Sequence, residues 1–171
     1  MFARRALSVA ASVVMLAAFA VPAHAQLPPG CSPPVPGQTT ICTVHVTDRV
    51  LPPHPVFPIL CPDGSTVPGG ILAATIENGV FHITVNGAGD EWVTSTIEGT
   101  FVFTAAPSGT VYTGHFMSWF GGEFNNQNTV LNFTASYVGM SAAGSTISLH
   151  FQGHMRISTD GQLSVDFDVV C

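Results

Sequence analysis

Residues 149–169 read LHFQGHMRISTDGQLSVDFDV, and this stretch indicates the fold most directly. Apolar and polar side chains alternate along it, which is typical of strands that bury one face. The turn-forming pair Asp160-Gly161 divides the stretch into two such strands. The pattern therefore predicts an antiparallel β-hairpin with one apolar face and one polar face.

The length of the loop decides which residues of this hairpin lie opposite each other. A two-residue loop at Asp160-Gly161 would place apolar Ile157 opposite polar Ser164, so it conflicts with the pattern. A three-residue loop over 159–161, with Gly161 at positive φ, removes the conflict. The predicted pairs are then Ile157–Leu163, Met155–Val165, Gly153–Phe167 and Phe151–Val169 on the apolar face, and Arg156–Ser164, His154–Asp166 and Gln152–Asp168 on the polar face.

Similar alternation extends back to residue 70. Asn78-Gly79 is the strongest short hairpin signal, and a two-residue turn there pairs Ile76 with Phe81 on an apolar face. Residues 92–103 and 131–137 also alternate. The segment 111–120 is apolar on both faces, so we expect part of the proline-rich stretch to cover its second face, through Val56, Phe57, Ile59 and Leu60.

These strands predict an all-β fold, an antiparallel meander of eight or nine strands with short connections. Strands near 41–48 and 56–60 complete the count. A lipocalin-like up-and-down β-barrel is favoured over a sandwich, because closure would remove edge strands that carry no lysine to protect them.

Composition and the N-terminus indicate export. The chain has 171 residues, of which 46% are hydrophobic and 8% charged, which excludes a disordered chain and a coiled coil. Residues 1–25 are predicted to be a cleaved signal peptide that ends at Ala23-His24-Ala25. No second long apolar run follows, so we expect no helical membrane anchor. The predicted location is secreted or periplasmic.

The rest of the chain is predicted to be one domain with two parts. Residues 26–69 form a proline-rich, cysteine-stapled segment with one or two strands, and 70–171 form the meander. The four cysteines in the exported part are Cys31, Cys42, Cys61 and Cys171, and they predict two disulfides with three possible pairings. Closure of a barrel would bring the first strand beside the last, so Cys42 or Cys61 could reach Cys171.

Charge excludes some partners. The formal charge of −6 becomes −8 when Arg4 and Arg5 leave with the signal peptide, and the chain has no lysine. Nucleic acid and anionic membranes are therefore improbable partners.

The inward positions favour a filled interior, because few of them are small. Gly99 beside Ser95 is the best hint of a cavity for a small apolar ligand, while Gly153 is expected to make room for Phe167. We assign no catalytic residue, no metal and no cofactor.

Two groups of polar residues are candidates for function. A candidate ligand site combines Trp119 and His115 with a Gly-Gly-Glu-Phe-Asn-Asn-Gln-Asn loop at 121–128, whose amides and Glu123 suit a glycan sugar or calcium. Its other members are Glu123, Asn125 and Asn126. Asparagine and glycine are also common turn residues, and a simple turn is the favoured interpretation of the loop. A polar cluster is expected on the outer face, formed by His150, His154, Arg156, Asp166 and Asp168.

The polar cluster admits a weak enzymatic alternative. Asp166 and Asp168 lie about 7 Å apart on one strand, a separation that suits two carboxylates on either side of a water in hydrolysis, with His154 beside them. A solvated outer face with a His154–Asp166 pair is the simpler interpretation.

Several segments resemble small exported bacterial proteins of unassigned function. They are Gly114-His115-Phe116-Met117-Ser118-Trp119-Phe120-Gly121, Gly153-His154 and Val165-Asp166-Phe167-Asp168 to Cys171. The resemblance covers the last third of the chain and implies export and a β fold, and it transfers no catalytic residue.

The sequence thus predicts an exported, non-enzymatic domain that binds a ligand or a surface. The alternatives are a lipocalin-like carrier of an apolar ligand, an outer-membrane barrel with its apolar face toward lipid, and the weak hydrolase.

Overall fold

The computed structural model describes residues 31, 37–125 and 127–171. The predicted signal peptide and Asn126 lie outside the described residues. The described residues form ten β-strands: β1 Thr40–Val46, β2 Arg49–Val56, β3 Ile59–Leu60, β4 Thr66–Val67, β5 Gly70–Val85, β6 Glu91–Ala105, β7 Val111–Phe124, β8 Asn128–Ser141, β9 Thr146–Ser158 and β10 Leu163–Val170.

The predicted antiparallel meander is confirmed. From β5 to β10 every strand pairs with the next one along the chain, and the whole sheet has eight strands. Strands β1 and β2 lie end to end along the free edge of β5, β1 against 79–85 and β2 against 70–76. Strands β3 and β4 form a separate short hairpin.

The C-terminal hairpin has the predicted register. Leu163 lies opposite Ile157, Phe167 opposite Gly153 and Asp166 opposite His154. Gly161 has a φ of 78°, the conformation that a three-residue loop requires at this position. Loop length and alternation agree here because only one loop length keeps both faces consistent.

The predicted hairpin at Asn78-Gly79 is wrong, although its assignment of faces is right. Strand β5 runs straight through this position and has a β-bulge against β6 between Ile76 and Asn78. Neither Asn78 nor Gly79 has the positive φ of a hairpin turn. A bulge inserts one extra residue and so reverses which side chains face inward. This keeps Ile76 and Phe81 on one face, as the turn would.

Aromatic rings fill one face of the sheet, the inner face, which carries most of the buried side chains. Tyr137 packs against Phe101, Phe116 and Phe151 with ring centroids 5.6 to 6.0 Å apart, and Phe151 stacks on Phe167 at 6.0 Å. These five side chains come from the five consecutive strands β6 to β10. The inner face is therefore a continuous apolar layer.

Inner-face glycines make space for the rings and the backbone. A Cβ on Gly139 would collide with the ring of Phe101, and one on Gly153 would collide with the ring of Phe133. Phe167 lies opposite Gly153 in the register, as predicted, but the ring nearest to the glycine is that of Phe133. A Cβ on Gly99 would meet the carbonyl oxygen of Thr75 beside the bulge. Gly99 thus permits close backbone approach and does not mark a cavity.

The described residues 56–60 do not cover the outer face of β7, so the prediction of a cover there is wrong. Met117 and Val111 are 60% and 47% exposed, and Phe57 and Leu60 of the expected cover are themselves exposed. The inner-face side chains near the tip of the last hairpin are exposed as well, Leu163 at 61%. The sheet therefore keeps apolar side chains in solvent.

Two disulfides join the N-terminal part to the sheet. Cys31 bonds to Cys42 in β1, and Cys61 bonds to Cys171, 110 residues later. The second bond ties the end of β10 to the segment between β3 and β4. It confirms that the last strand ends near the proline-rich part of the chain.

The two disulfides should stabilise the fold unequally. A bridge restricts the unfolded chain more when it closes a longer loop, so Cys61→Ser/Cys171→Ser should lower the free energy of unfolding by about 5 kcal/mol and Cys31→Ser/Cys42→Ser by about 3 kcal/mol. Guanidinium unfolding of both double variants measures this. An equal loss, or a larger loss for the short loop, would contradict the assignment.

The glycine under Phe133 gives a second stability prediction. Gly153→Ala should lower the free energy of unfolding by about 1 to 3 kcal/mol, because the new methyl group overlaps the ring. In the double variant Gly153→Ala/Phe133→Leu the two changes should cost less than the sum of the single changes. Additive losses would show that the ring and the glycine do not interact.

A candidate binding groove on the outer face of the sheet

Two rows of side chains cross the outer face from β7 to β10. The register places Trp119, Thr134, Gln152 and Asp168 in one row. The neighbouring row holds Gly121, Asn132, His154 and Asp166. Neighbouring strands are about 4.8 Å apart, so each row spans about 14 Å. The two candidate groups of the sequence, Trp119 and the aspartates, thus meet on one surface.

Trp119 forms the aromatic end of this surface. Its side chain is 41% exposed. The six-membered part of its indole lies over Gly121, where a Cβ would stand 2.7 Å from the ring. Because glycine has no side chain, the indole can lie along its own strand with part of its surface in solvent.

Hydrogen bonds order the middle of the two rows. His154 Nδ1 lies 2.8 Å from Oδ1 of Asn132, and Nε2 of Gln152 donates to Asp168 at 3.2 Å. An amide oxygen only accepts, so the first bond requires a proton on Nδ1 and leaves Nε2 of a neutral ring as an acceptor. His154 therefore bonds to Asn132 and not to Asp166, the expected partner.

The two rows border an open groove of about 460 Å³. Phe133, Gly153 and Phe167 form its floor, and Trp119 and the polar side chains of the rows form its sides. The volume lies in the range of small-molecule sites, although the groove is more open than a typical pocket. Aromatic and hydrogen-bonding groups thus converge on one concave surface.

A second hollow of about 630 Å³ lies elsewhere on the outer face and is mainly apolar. The backbone of Gly114 and Gly139 forms part of its floor, and Val102, Val138 and Met140 line its sides. His115, a predicted ligand-site residue, lies here and not beside Trp119. The structure therefore separates these two residues.

Polar side chains of the predicted ligand loop form hydrogen bonds within the loop itself. Oδ1 of Asn125 accepts from the backbone N–H groups of Gln127 and Asn128, and its amide nitrogen donates to Glu123 at 2.8 Å. These bonds form the turn between β7 and β8, so the side chains of Glu123 and Asn125 are engaged. Asn126 lies outside the described residues.

The rest of the polar cluster is exposed. His150 bonds to the hydroxyl of Ser136 at 2.8 Å, and Arg156 is exposed two residues beyond His154. Among the described residues, no three His, Cys, Asp or Glu side chains are arranged to hold a metal ion. Asp166 and Asp168 are exposed on an open strand face.

Three polar groove residues were missed by sequence reasoning. They are Asn132, Thr134 and Gln152, which lie between or beside the predicted groups. The signal that finds them is the register: once β8 is paired with β9 and β9 with β10, alternation places the even residues of β8 and β9 on the face of Asp166 and Asp168. The sequence alone did not establish the pairing of β8 with its neighbours.

The described part of the chain holds no helix with the length and hydrophobicity of a membrane span. Comparisons with protein-family models, with curated proteins and with solved structures found no match.

The phenol of Tyr137 reports on the packed interior. Burial among the surrounding rings raises the pKa of Tyr137 to about 12 from an ordinary value of 10.0. An acid whose pKa is raised on folding stabilises the fold fully below its unfolded pKa, so this contribution should disappear between pH 10 and pH 12.

Ultraviolet absorbance titration and unfolding at several alkaline pH values test this behaviour. Tyr137→Phe should remove the last phenol transition and flatten the loss of stability between pH 10 and pH 12. An unchanged titration curve in the variant would contradict the burial of this phenol.

Proposed function

We propose that the protein is an exported, non-enzymatic binding domain that takes its ligand in the groove between Trp119 and Asp168. The observation that carries the proposal is where the concave surfaces lie. The inner face is filled by aromatic rings, whereas both hollows open on the outer face, and one of them combines an indole with ordered polar groups.

Export is supported by the predicted signal peptide and by the two disulfides. Disulfides persist in oxidising compartments such as the periplasm and the extracellular space. The chain has few cationic side chains, which is a further reason to expect a partner other than nucleic acid or an anionic membrane surface.

We also propose that the sheet curls into an up-and-down barrel. The Cys61–Cys171 disulfide supports this, because it ties the last strand to the segment that follows β2, at the opposite edge of the sheet. In the described residues β10 pairs only with β9. The bond would hold the seam where hydrogen-bonded pairing is incomplete.

Binding accounts for the groove better than catalysis does. Asp166 and Asp168 lie on an exposed strand, and His154 is engaged with Asn132. A hydrolase needs an acid group and a base group in different environments, so that one is protonated while the other is not. An open sheet face supplies hydrogen bonds and stacking, which are sufficient for recognition.

The location of the site can be mapped by NMR with the full chain recovered from the exported fraction. Palmitate and a mixture of soluble oligosaccharides serve as probes. We expect a bound probe to shift the amide signals of Gln152, His154 and Asp166 and to leave the ring signals of Phe101 and Phe116 unchanged. Shifts that cluster at those inner rings would favour the lipocalin-like carrier.

Two controls complete this experiment. Mass spectrometry of the purified protein should detect no bound lipid, and the protein should stay in solution without detergent; a requirement for detergent would favour the outer-membrane alternative. Incubation with the oligosaccharides should release no new reducing ends. Release that Asp166→Asn abolishes would overturn the non-enzymatic proposal.

A further inference from the structure

We infer that the ligand of the groove is a neutral oligosaccharide that lies across the strands from Trp119 to Asp168. This inference rests on the proposed function, because it names the ligand class of the same site. It follows from the hydrogen-bonding capacity of the groove, from its length, from its charge and from the position of the indole.

The polar groups that remain free in the groove include both acceptors and donors. Both oxygens of Asp166, one oxygen of Asp168, the amide oxygen of Gln152 and Nε2 of a neutral His154 have no hydrogen-bond partner among the described residues. The free donors are the amide protons of Asn132, one amide proton of Gln152, the hydroxyl of Thr134 and the indole N–H of Trp119. A ligand that fits this set must both donate and accept hydrogen bonds, as the hydroxyl groups of a sugar ring do.

The indole of Trp119 suits the other surface of a sugar. The face of an aromatic ring carries partial negative charge, so it attracts weakly polarised C–H groups and packs against them. A pyranose ring presents C–H groups on one face and hydroxyl groups around its rim. Gly121 allows the indole to lie along the strand, because no side chain stands beneath the ring.

The length of the groove favours an oligosaccharide over a single charged group. About 14 Å separates the strand of Trp119 from that of Asp168, and amide, hydroxyl and imidazole side chains occupy the two strands between them. One ammonium or guanidinium group would engage the indole or the carboxylates, but not both. A chain of sugar rings reaches both ends and uses the amides between them.

Charge argues against an acidic ligand. Asp166 and Asp168 line the groove, and no lysine or arginine among the described residues does. Arg156 lies outside it, one position further along the same face of β9 than His154. An anionic polysaccharide would meet two carboxylates in a chain of net negative charge, which disfavours its approach.

The two tryptophans of the chain allow a matched test. Trp92 is also on the outer face, 38% exposed, but on β6 opposite Glu123 and outside the groove. In Trp92→Phe the only indole is Trp119, so its fluorescence reports the groove directly. Trp92→Ala serves as the control for Trp119→Ala, because each variant removes one exposed indole from the same face.

The experiment titrates the full exported chain with cellotetraose, maltotetraose, chitotetraose and fragments of xylan and mannan. We expect at least one of them to change the emission of Trp119 with a Kd between about 1 µM and 1 mM. Trp119→Ala should weaken that binding about ten-fold or more, while Trp92→Ala leaves it unchanged. Asp168→Asn, which replaces an acceptor by a donor, should also weaken it.

Gly121 provides a test of geometry that removes no ligand contact. Gly121→Ala places a methyl group 2.7 Å from the indole and should displace it, so the affinity for the saccharide should fall while the midpoint of thermal unfolding stays close to that of the parent. An unchanged affinity would show that the position of the indole over Gly121 has no part in recognition.

Two comparison probes separate failure of this inference from failure of the proposed function. If tetralysine or an oligogalacturonate binds and Trp119→Ala abolishes the binding, the groove is a ligand site but the neutral saccharide is wrong. If no neutral oligosaccharide changes the emission of Trp119 at about 10 mM, the inference is overturned. If no probe of any class changes the emission of Trp119, the proposed binding function of the groove is overturned as well.

Discussion

The packing of aromatic rings against glycines on the inner face is the constraint on which the rest of this structure depends. Tyr137 contacts rings from β6, β7 and β9, and Phe167 extends the layer to β10. Each large ring needs space, and Gly139 and Gly153 provide it directly beneath Phe101 and Phe133. The rings and the glycines together therefore form a dense apolar layer on the inner face of the sheet.

Rings fill the inner face, whereas the two hollows described above lie on the outer face. The rings of Phe116 and Phe151 pack against Tyr137 on the inner face and take up space that a ligand would need. The outer face is shaped by the same glycines, because Gly153 forms part of the floor of the groove. The same placement of glycines and aromatic residues thus determines both the packing of the inner face and the shape of the outer face.

The carboxylates of β10 have a second consequence for the fold. The outer edge of β10 has no partner strand among the described residues, and the chain has no lysine to protect an edge. Asp166 and Asp168 place two negative charges on this strand, so a second copy pairing with it would bring like charges together. The residues proposed to bind a ligand also disfavour association of the protein with itself.

The two hairpin predictions show how far the sequence determines this fold. At 159–161 only one loop length kept apolar residues opposite apolar residues, so local information was sufficient. At Asn78-Gly79 a turn and a bulge produce the same assignment of faces, because each reverses the alternation once. The decision between them depends on β6, a strand long enough to pair with all of β5, which no local pattern reveals.

The sequence determines the candidate site only in part, for the same reason. Trp119 and the aspartates were identifiable as residue types, and the hairpin register placed His154 opposite Asp166 correctly. Pairing β8 with both β7 and β9 is what brings Asn132 between the two groups, where it takes the hydrogen bond expected for Asp166. That bond leaves the carboxylate of Asp166 without a hydrogen-bond partner among the described residues, so it can accept from the proposed ligand.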